Sequence, residues 1–408
     1  MNSRVLLPVL SILFSTQPLH AGDANSRLKD LQARVANQDF NNDNLRRDLL
    51  VFAREQVGTS LYAPAMNALR ATPSPFDKLD DKAIDEDVRK TLSIAGLVGL
   101  LQPHHRAIAH VTISFDGTLL ATSGWDNVVH LHKLGDKEPK SWAKLDGSMS
   151  GLAFSPDGKL LFTGCRDSRM LGWDLTGAEP KEKEALSGHK TRPFVIAITP
   201  KGKMLASGSH EPILRISNLN EREPETWVEL DRDKSGAVGV SSLAFSHDGK
   251  YVVAGHRVGM NSLRIWDASG EFLDEKRLPG ATARVIACSP TAPIVAFAGD
   301  DAEIHVWNFA GEKIDRLHKL SGHAKQGLMP PVKALAFSAD GKLLASSGED
   351  KRVRIWDAKT GEKVREWHFV EEARALAFAS DSRHFAVGNS DGTLYLLRLE
   401  AVKMKKKN

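Results

Sequence analysis

The sequence predicts an all-β fold in which seven similar four-stranded sheets form a closed ring behind a short α-helical segment. Three observations lead to this prediction. One short pattern of alternating apolar and polar residues recurs seven times after residue 105. A turn, often Asp-Gly, follows the first apolar run of the copies. The copies are spaced 41 to 49 residues apart, which suits a unit of four strands.

The stretch from Phe337 to Asp357, FSADGKLLASSGEDKRVRIWD, shows the repeat clearly. Asp340 and Gly341 supply a tight turn after the first strand, and LLAS and VRIWD are predicted to form the next two strands. A more polar fourth strand starts at Lys363. A lone sheet of this kind would expose two apolar faces, whereas a ring of sheets buries both, as in a β-propeller. The residues before the first turns are Ile113, Phe154, Ile198, Phe245, Cys288, Phe337 and Phe378.

These copies resemble the WD-repeat family of β-propellers. The sixth copy carries the structural network of that family in full, with His323 before the first strand, Ser346 on the second, Asp350 in the following turn and Trp356 on the third. The resemblance implies a seven-bladed WD-repeat β-propeller with a short α-helical N-terminal segment. It also implies that these four residues are structural, because each has a fixed place in the blade.

Other copies depart from the family pattern. In the third copy Glu211 and Ser217 replace the acid and the Trp, and in the first copy His132 stands where the Trp belongs. His130 and His132 lie on one strand face, as a zinc site would require, but no third ligand is evident nearby. We therefore interpret both imidazoles as structural.

The first residues predict export. Arg4 precedes an apolar run from residue 5 to 14, and the small residue Ala21 suits a cleavage site. The alternative, a membrane anchor, is disfavoured because a run of this length is too short to span a bilayer. We predict a periplasmic or extracellular protein without a membrane span.

The remaining chain divides into three parts. Apolar residues such as Leu28, Leu31, Leu45 and Leu49 recur at helical spacing before residue 93, and we expect these helices to dock on the propeller because they make a poor core alone. The predicted domains are a signal peptide (1–21), a helical segment (22–92), the propeller (93–400) and a basic tail (401–408).

The end of the chain leaves the seventh copy one strand short. Only a charged tail follows the third strand of that copy. The apolar stretch 93–105 is therefore predicted to supply the outer strand of the last blade and to close the ring, so that no sheet edge is left open. The alternative for that stretch is a short helix.

Composition excludes several classes of function. The formal net charge is +4, and four lysines of the tail account for it, so no basic stripe for nucleic acid is indicated. Cys165 and Cys288 fall on opposite sides of the predicted ring, too far apart for a disulfide. The acidic pairs Asp300-Asp301 and Glu349-Asp350 each contain the turn acid of their blade. We predict no catalytic residue, no metal site and no cofactor.

The resemblance implies a partner-binding face. In WD-repeat propellers, the loops from second to third strand and from fourth strand to the next blade share one face of the ring, which commonly binds partners. Trp and Arg are typical of binding hot spots, and an exposed Trp125 would be the clearest indication. The alternative is that Trp125 folds back on its own blade. The predicted partner-binding residues are Trp125, Arg166, His210, Arg284, Asp300, Lys333, Glu349 and Arg374.

Together these features favour a non-catalytic scaffold for protein–protein interaction, with a protein or peptide partner on this face and no nucleic acid. The alternative is an exported hydrolase or lactonase with a metal at the central channel, which inward-facing acids from several blades would support. The sequence leaves open the partner, the pathway and the oligomeric state.

Overall fold

A computed structural model describes residues 21–37, 44–56, 59–79, 94–146, 148–186, 189–211, 213–219, 226–229, 239–256, 262–267, 272–277, 283–309, 315–324 and 331–399. Three α-helices precede the sheets: α1 (Ala21–Ala36), α2 (Asn44–Glu55) and α3 (Tyr62–Arg70). A 3-10 turn, Pro75–Lys78, follows them. Most of the predicted signal peptide and the basic tail lie outside the described residues.

Seven four-stranded antiparallel sheets follow, so the predicted all-β propeller is confirmed. Each sheet is one blade. Within a blade the four strands follow one another from the ring axis to the outside. Blades 1 to 3 comprise β2 (Ile108–Ile113), β3 (Leu119–Gly124), β4 (Val128–Lys133) and β5 (Lys140–Asp146); β6 (Ser148–Phe154), β7 (Leu160–Cys165), β8 (Met170–Asp174) and β9 (Lys181–Leu186); and β10 (Val195–Ile198), β11 (Met204–Gly208), β12 (Ile213–Asn218) and β13 (Thr226–Glu229).

Blades 4 to 7 repeat this order, except that the outer strand of blade 7 comes from the start of the chain. They comprise β14 (Val240–Phe245), β15 (Tyr251–His256), β16 (Ser262–Asp267) and β17 (Phe272–Arg277); β18 (Val285–Cys288), β19 (Ile294–Ala298), β20 (Ile304–Asn308) and β21 (Asp315–Leu320); β22 (Val332–Phe337), β23 (Leu343–Gly348), β24 (Arg352–Asp357) and β25 (Lys363–His368); and β26 (Ala373–Phe378), β27 (His384–Asn389), β28 (Leu394–Arg398) and β1 (Leu97–Leu101).

The Asp-Gly turns take the conformation that their residues favour. Gly158, Gly249 and Gly341 adopt φ values of 71°, 72° and 69°, which glycine reaches without steric cost. In blade 6 the Asp340 carboxylate accepts the backbone N–H of Lys342 at 3.2 Å. These contacts fix each first strand against the second.

The core lies between neighbouring blades. The inner strands contact one another in sequence order around the ring, and the last of them, β26, contacts β2. Between blades 6 and 7, for example, Val353 and Ile355 pack with Phe385 and Tyr395, and all four side chains are buried. Burial of both sheet faces is the main stabilising contribution in such a ring.

Strand β1 completes blade 7. It pairs antiparallel with β28, with Leu101 opposite Leu394 and Leu97 opposite Leu397. Outside the strand, the indole Nε1 of Trp367 donates to the carbonyl oxygen of Ala95 at 2.8 Å. The two ends of the propeller are thus joined by hydrogen bonds rather than left as open edges.

The helical segment has its own apolar cluster and packs on one end of the ring. Leu28, Leu49, Phe52 and Met66 are buried together, and Phe115 of the propeller packs against their cluster. Its contacts on the propeller lie at or beside the turns between first and second strands of blades 6, 7 and 1. We name this end of the ring the turn face.

Three polar and aromatic contacts fix this docking. Arg70 pairs with Asp340 of blade 6 at 3.2 Å, and Asp77 accepts from Arg383 of blade 7 at 2.9 Å. The ring of Phe76 stacks on His384, with centroids 5.2 Å apart. Because Phe76 is only 1% exposed, the segment forms a continuous core with blades 7 and 1.

Both cysteines are free, as the repeat register predicted. Cys165 is buried in blade 2, and burial raises the pKa of its thiol. The side chain of Cys288 is partly accessible to solvent, because it borders the ring axis. Its surroundings are nonetheless apolar, and desolvation raises its pKa to about 12.

Candidate partner-binding face

The opposite end of the ring carries the loops from second to third strands and from each fourth strand to the next blade. We name it the loop face. Trp125 lies there, between β3 and β4, and its side chain is 49% exposed, so it does not fold back on its blade. The guanidinium carbon of Arg374 lies 4.7 Å from the centre of the Trp125 ring. This cation–π contact joins blade 1 to blade 7 and orients the indole.

Arg374 belongs to a chain of charges that reaches blade 6. Its Nη1 lies 2.9 Å from a carboxylate oxygen of Glu372, and the other oxygen of Glu372 lies 3.3 Å from Nζ of Lys333. The side chain of Lys333 is only 8% exposed. Lys333 is therefore a counter-ion of Glu372, and its role as a partner contact stays a prediction.

The predicted pair in blade 5 is also engaged internally. Arg284 Nε lies 2.8 Å from Asp300 Oδ1, and both side chains are partly buried. In blade 6, Glu349 donates its backbone N–H to the carbonyl oxygen of Pro331 at 2.8 Å. Its carboxylate oxygen Oε2 is buried, and no described residue offers it a hydrogen bond. Glu349 thus carries a charge on this face that the described part of the protein leaves without a hydrogen bond.

The remaining predicted residues lie on blades 2 and 3. Arg166 and His210 are exposed, and the His210 ring lies against Phe194 with centroids 4.7 Å apart. Arg192 lies close enough to Arg166 to be affected by its charge. Burial and that charge together lower the pKa of Arg192. Blades 2 and 3 therefore contribute basic groups to the loop face.

Sequence reasoning missed Val370, Phe194 and Glu372. Val370 is 58% exposed and follows β25 on the loop face, so it adds an apolar contact beside blades 6 and 7. No periodic pattern marks a single apolar residue in a loop.

Beneath this face lies the structural network of each blade. In blade 6, Trp356 Nε1 donates to Ser346 Oγ at 2.8 Å, that oxygen lies 2.9 Å from His323 Nε2, and His323 Nδ1 lies 3.0 Å from Asp350. Burial alone would raise the pKa of Asp350, but the hydrogen bonds from His323 and Arg354 outweigh it and lower the pKa to about 2. The four residues thus meet as the family pattern implied.

Blades 1 and 3 show how the network tolerates substitutions. His104 bonds Asp126 at 2.9 Å and Thr122 at 2.9 Å. His189 bonds Ser207 at 2.9 Å and Glu211 at 3.1 Å, so the longer Glu takes the place of the usual Asp. A carboxylate at either chain length can therefore orient the imidazole.

His130 and His132 lie in a group of three neighbouring imidazoles in blade 1. Their ring centroids are 6.3 Å apart, and His130 packs edge-on against His104 at 4.8 Å. Burial, and the charges that His130 and His104 would carry, lower the pKa of His132 to about 4. Within the described ranges no group of three or more potential metal ligands comes together.

The described residues along the ring axis bear on the alternative of a metal-dependent enzyme. A cavity of about 420 Å³ lies there, lined by inner strands and by Tyr62 of α3. None of the described side chains that line it is a carboxylate or an imidazole. The inward-facing acids that would support a hydrolase or lactonase are therefore not found in this cavity.

The seven four-stranded blades form a β-propeller, and blade 6 carries the complete His–Ser–Asp–Trp network of a WD repeat. Comparison with known proteins agrees: the family model of the WD domain, G-beta repeat, matches residues 96–133, 140–174, 232–267 and 314–357. The chain thus carries WD40 repeats on a seven-bladed β-propeller.

Three curated relatives illustrate the similarity. The chain is 27% identical over 271 residues to the WD repeat-containing protein WDS homolog of Arabidopsis thaliana, covering 63% of this chain and 48% of that protein. It is 23% identical to Protein groucho of Drosophila melanogaster, over 82% of this chain and 44% of that protein. It is 22% identical to the Serine-threonine kinase receptor-associated protein of Gallus gallus, over 72% and 79% respectively. The chain therefore spans about half the length of the first two relatives.

Proposed function

We propose that the protein is a non-catalytic scaffold that binds a protein or peptide partner on its loop face. The observation that carries this proposal is the exposed indole of Trp125, held by the guanidinium of Arg374 at 4.7 Å. A large aromatic ring fixed in one orientation loses little conformational entropy on binding, and such rings dominate protein interfaces. WD-repeat propellers are typically interaction scaffolds, which supports the same function.

The distribution of exposed apolar side chains favours the loop face. Three large apolar side chains of the described residues are exposed: Trp125, Leu317 and Val370. Two of them, Trp125 and Val370, lie on the loop face. The turn face, in contrast, is partly covered by the helical segment at blades 6, 7 and 1. A partner that needs an apolar contact therefore finds it on the loop face.

The chemistry of the loop face suits a peptide that carries acidic groups. Arg166 and Arg192 on blades 2 and 3 favour such groups. Trp125 would anchor an apolar or cationic side chain beside them. Charge complementarity of this kind selects the orientation of a partner more than it adds affinity.

Export is part of the same proposal. Within the described residues no helix is long and apolar enough to cross a membrane. The support for export is the sequence pattern of residues 1–21. Mass spectrometry of the protein from its source cells tests this. A mature chain that begins at Gly22 is expected, and a chain that retains the residues before Ala21 would contradict export by cleavage.

Affinity capture with three forms of the protein tests the binding face. Wild type, Trp125→Ala and Leu317→Ala are immobilised, and proteins recovered from an extract of the source cells are quantified. Leu317→Ala is the matched control, because it removes an exposed apolar side chain (41% exposed) from the outer strand of blade 5. We expect Trp125→Ala to recover at least ~10-fold less of a partner that the control recovers fully. Equal recovery by all three forms would overturn the choice of face.

A further inference from the structure

Trp125 and Asp126 are neighbouring residues of one tight turn between β3 and β4. The backbone N–H of Trp125 donates to the carbonyl oxygen of Ala107 at 2.9 Å. The Asp126 carboxylate, with only 2% of its side chain exposed, lies 2.9 Å from Nδ1 of His104. A movement that releases Asp126 therefore also releases the indole beside it.

Through His104 this turn contacts three neighbouring imidazoles, those of His104, His130 and His132, which we name the imidazole group. His104 packs edge-on against His130, with ring centroids 4.8 Å apart, and the rings of His130 and His132 are 6.3 Å apart. His104 and His132 are only 2% and 3% exposed. The group therefore has little contact with water while the turn is closed.

Blade 6 has the first of these imidazoles but not the other two. His323 corresponds to His104, and the two positions on the third strand carry Arg354 and Trp356. An arginine stays charged and an indole stays neutral over the pH range in which proteins are folded. The charge at these two positions thus depends on pH in blade 1 and not in blade 6.

The outer strands differ in the same sense. In blade 6 Arg354 lies opposite Glu366 of β25, and its Nε is 2.8 Å from that carboxylate. In blade 1 His130 lies opposite Lys144 of β5. A positive charge on the imidazole group therefore meets a lysine where blade 6 offers an acid, and like charges on paired strands are destabilising.

The charges around His104 oppose one another. Burial disfavours its protonation most, Asp126 favours it, and His105 on the loop before β2 disfavours it, so the pKa of His104 is lowered. From blade 7, Arg374 adds a positive charge against the adjacent Trp125 ring. One carboxylate thus stands among several groups that are, or become, cations.

His132 has a more apolar environment. Burial, and the charges that His130 and His104 would carry, lower its pKa to about 4. Strand β3 beside it, and strands β6 and β7 of the next blade, contain no Asp, Glu, Lys, Arg or His. A proton on His132 is therefore favoured by an opening of the turn that admits water.

We propose that the imidazole group makes the site at Trp125 sensitive to pH, because protons that the group takes up in acid open the turn and release the indole. This inference rests on the proposed role of Trp125 in partner binding. The open turn binds more protons than the closed one, so by linkage its population rises as the pH falls. The partner then meets an indole whose orientation Arg374 no longer fixes, and the affinity falls.

Hydrogen exchange of the backbone N–H of Trp125 measures the opening without a partner. The corresponding N–H of blade 6, that of Glu349, donates to Pro331 at 2.8 Å and is the internal control. A pKa of about 4 for His132 in the closed turn and about 6.5 in the open one favours opening about 20-fold between pH 7 and pH 5.

After correction for intrinsic exchange rates, the protection of Trp125 should fall by about this factor relative to that of Glu349 between the two pH values. A parallel fall at both positions would show global unfolding and would overturn the proposal. Because this comparison uses the unmutated protein, it does not depend on the folding of any variant.

Two variants assign the effect to the imidazole group. His132→Trp gives blade 1 the indole of blade 6 and should remove most of the excess loss of protection at Trp125. His318→Gln is the matched control, because it removes a partly buried imidazole from β21 of blade 5, and it should behave like the wild type. An equal excess in His132→Trp and in the wild type would overturn the assignment.

Affinity capture at pH 7 and pH 5 adds the binding step. A partner that the wild type recovers at pH 7 should be recovered several-fold less at pH 5, and His132→Trp should reduce this loss. The same pH dependence in both forms would overturn the regulation of binding. If no form recovers a partner at pH 7, the scaffold function fails, whereas hydrogen exchange still shows whether the turn opens in acid.

Discussion

Nη1 of Arg70 in helix α3 lies 3.2 Å from Oδ2 of Asp340, a carboxylate whose side chain is fully buried in the turn between β22 and β23. The same carboxylate accepts the hydroxyl of Ser338, and the backbone N–H of Asp340 donates to Ser382 Oγ of blade 7. One turn therefore connects the helical segment, blade 6 and blade 7. The helical segment is bound to the ring by a buried charge as well as by apolar packing.

Arg70→Ala should lower the free energy of unfolding by about 1–2 kcal/mol, because it leaves a buried carboxylate with only the more distant Lys342 as counter-ion. Urea unfolding measures the loss. Arg34→Ala is the control, since its pair with Asp48 is partly exposed and should contribute less than about 0.5 kcal/mol. Equal losses in the two variants would show that the Arg70 contact does not hold the segment.

Ser346→Ala and Ser207→Ala should differ in their cost. Ser346 Oγ serves two partners, Trp356 and His323, whereas Ser207 Oγ serves His189 alone. Because each buried polar atom left unpaired costs about 1 kcal/mol or more, we expect losses of about 2 and about 1 kcal/mol respectively. Chemical denaturation of both variants checks the order, and a larger loss for Ser207→Ala would contradict it.

His132→Trp should stabilise blade 1. His132 pairs with Leu120 as Trp356 pairs with Leu344, so an indole there would point at Thr122 as that of Trp356 points at Ser346. The present imidazole leaves its buried Nδ1 without a partner among the described residues. We expect a gain of about 1 kcal/mol and a higher melting temperature. The gain should vanish when Thr122→Val is added; a lower melting temperature for the single variant would refute the prediction.

Acid should destabilise the protein before its carboxylates titrate. Burial and the charge of Arg215 hold the pKa of His189 at about 4, although Glu211 opposes them, and His132 also has a pKa of about 4. Both are about 6.5 in an unfolded chain, so the unfolded state takes up protons first. The free energy of unfolding should change little between about pH 6.5 and 8, below the range in which thiols ionise, and should fall between pH 6.5 and 4, by on the order of 3 kcal/mol per histidine.

Urea unfolding at a series of pH values measures this dependence. His132→Trp removes one of the two histidines, so its stability should fall less steeply over the same range. A stability that rises as the pH is lowered from 6.5 to 4 would contradict the assignment of neutral, buried imidazoles.

The blade count and the networks were predictable because they depend on residues close in sequence. A turn glycine such as Gly341 and a strand residue such as Trp356 occur at fixed intervals, and intervals are visible in a sequence. The pairing of Glu211 with His189 was less evident, since a longer acid was read as a departure from the pattern. The structure shows that it reaches the same nitrogen.

The contacts between blades were less predictable. The ion pair of Lys333 with Glu372 of the next blade, for example, has no signal in the sequence. The cavity on the ring axis is likewise bounded by residues of six different blades. No local sequence pattern indicates how much space remains where residues of different blades meet on the ring axis.

The pairing of β1 with β28 sets the order of events during translation. A ribosome delivers β1 early, but its partner strand comes out near the end, roughly 15 to 60 s later at about 5–20 residues per second. Throughout that interval the backbone hydrogen-bonding groups of β1 lack their partner strand, and the ring of blades is not closed. Loss of the final segment by premature termination would make that transient gap permanent, and the truncated product would be prone to aggregate through the same edge.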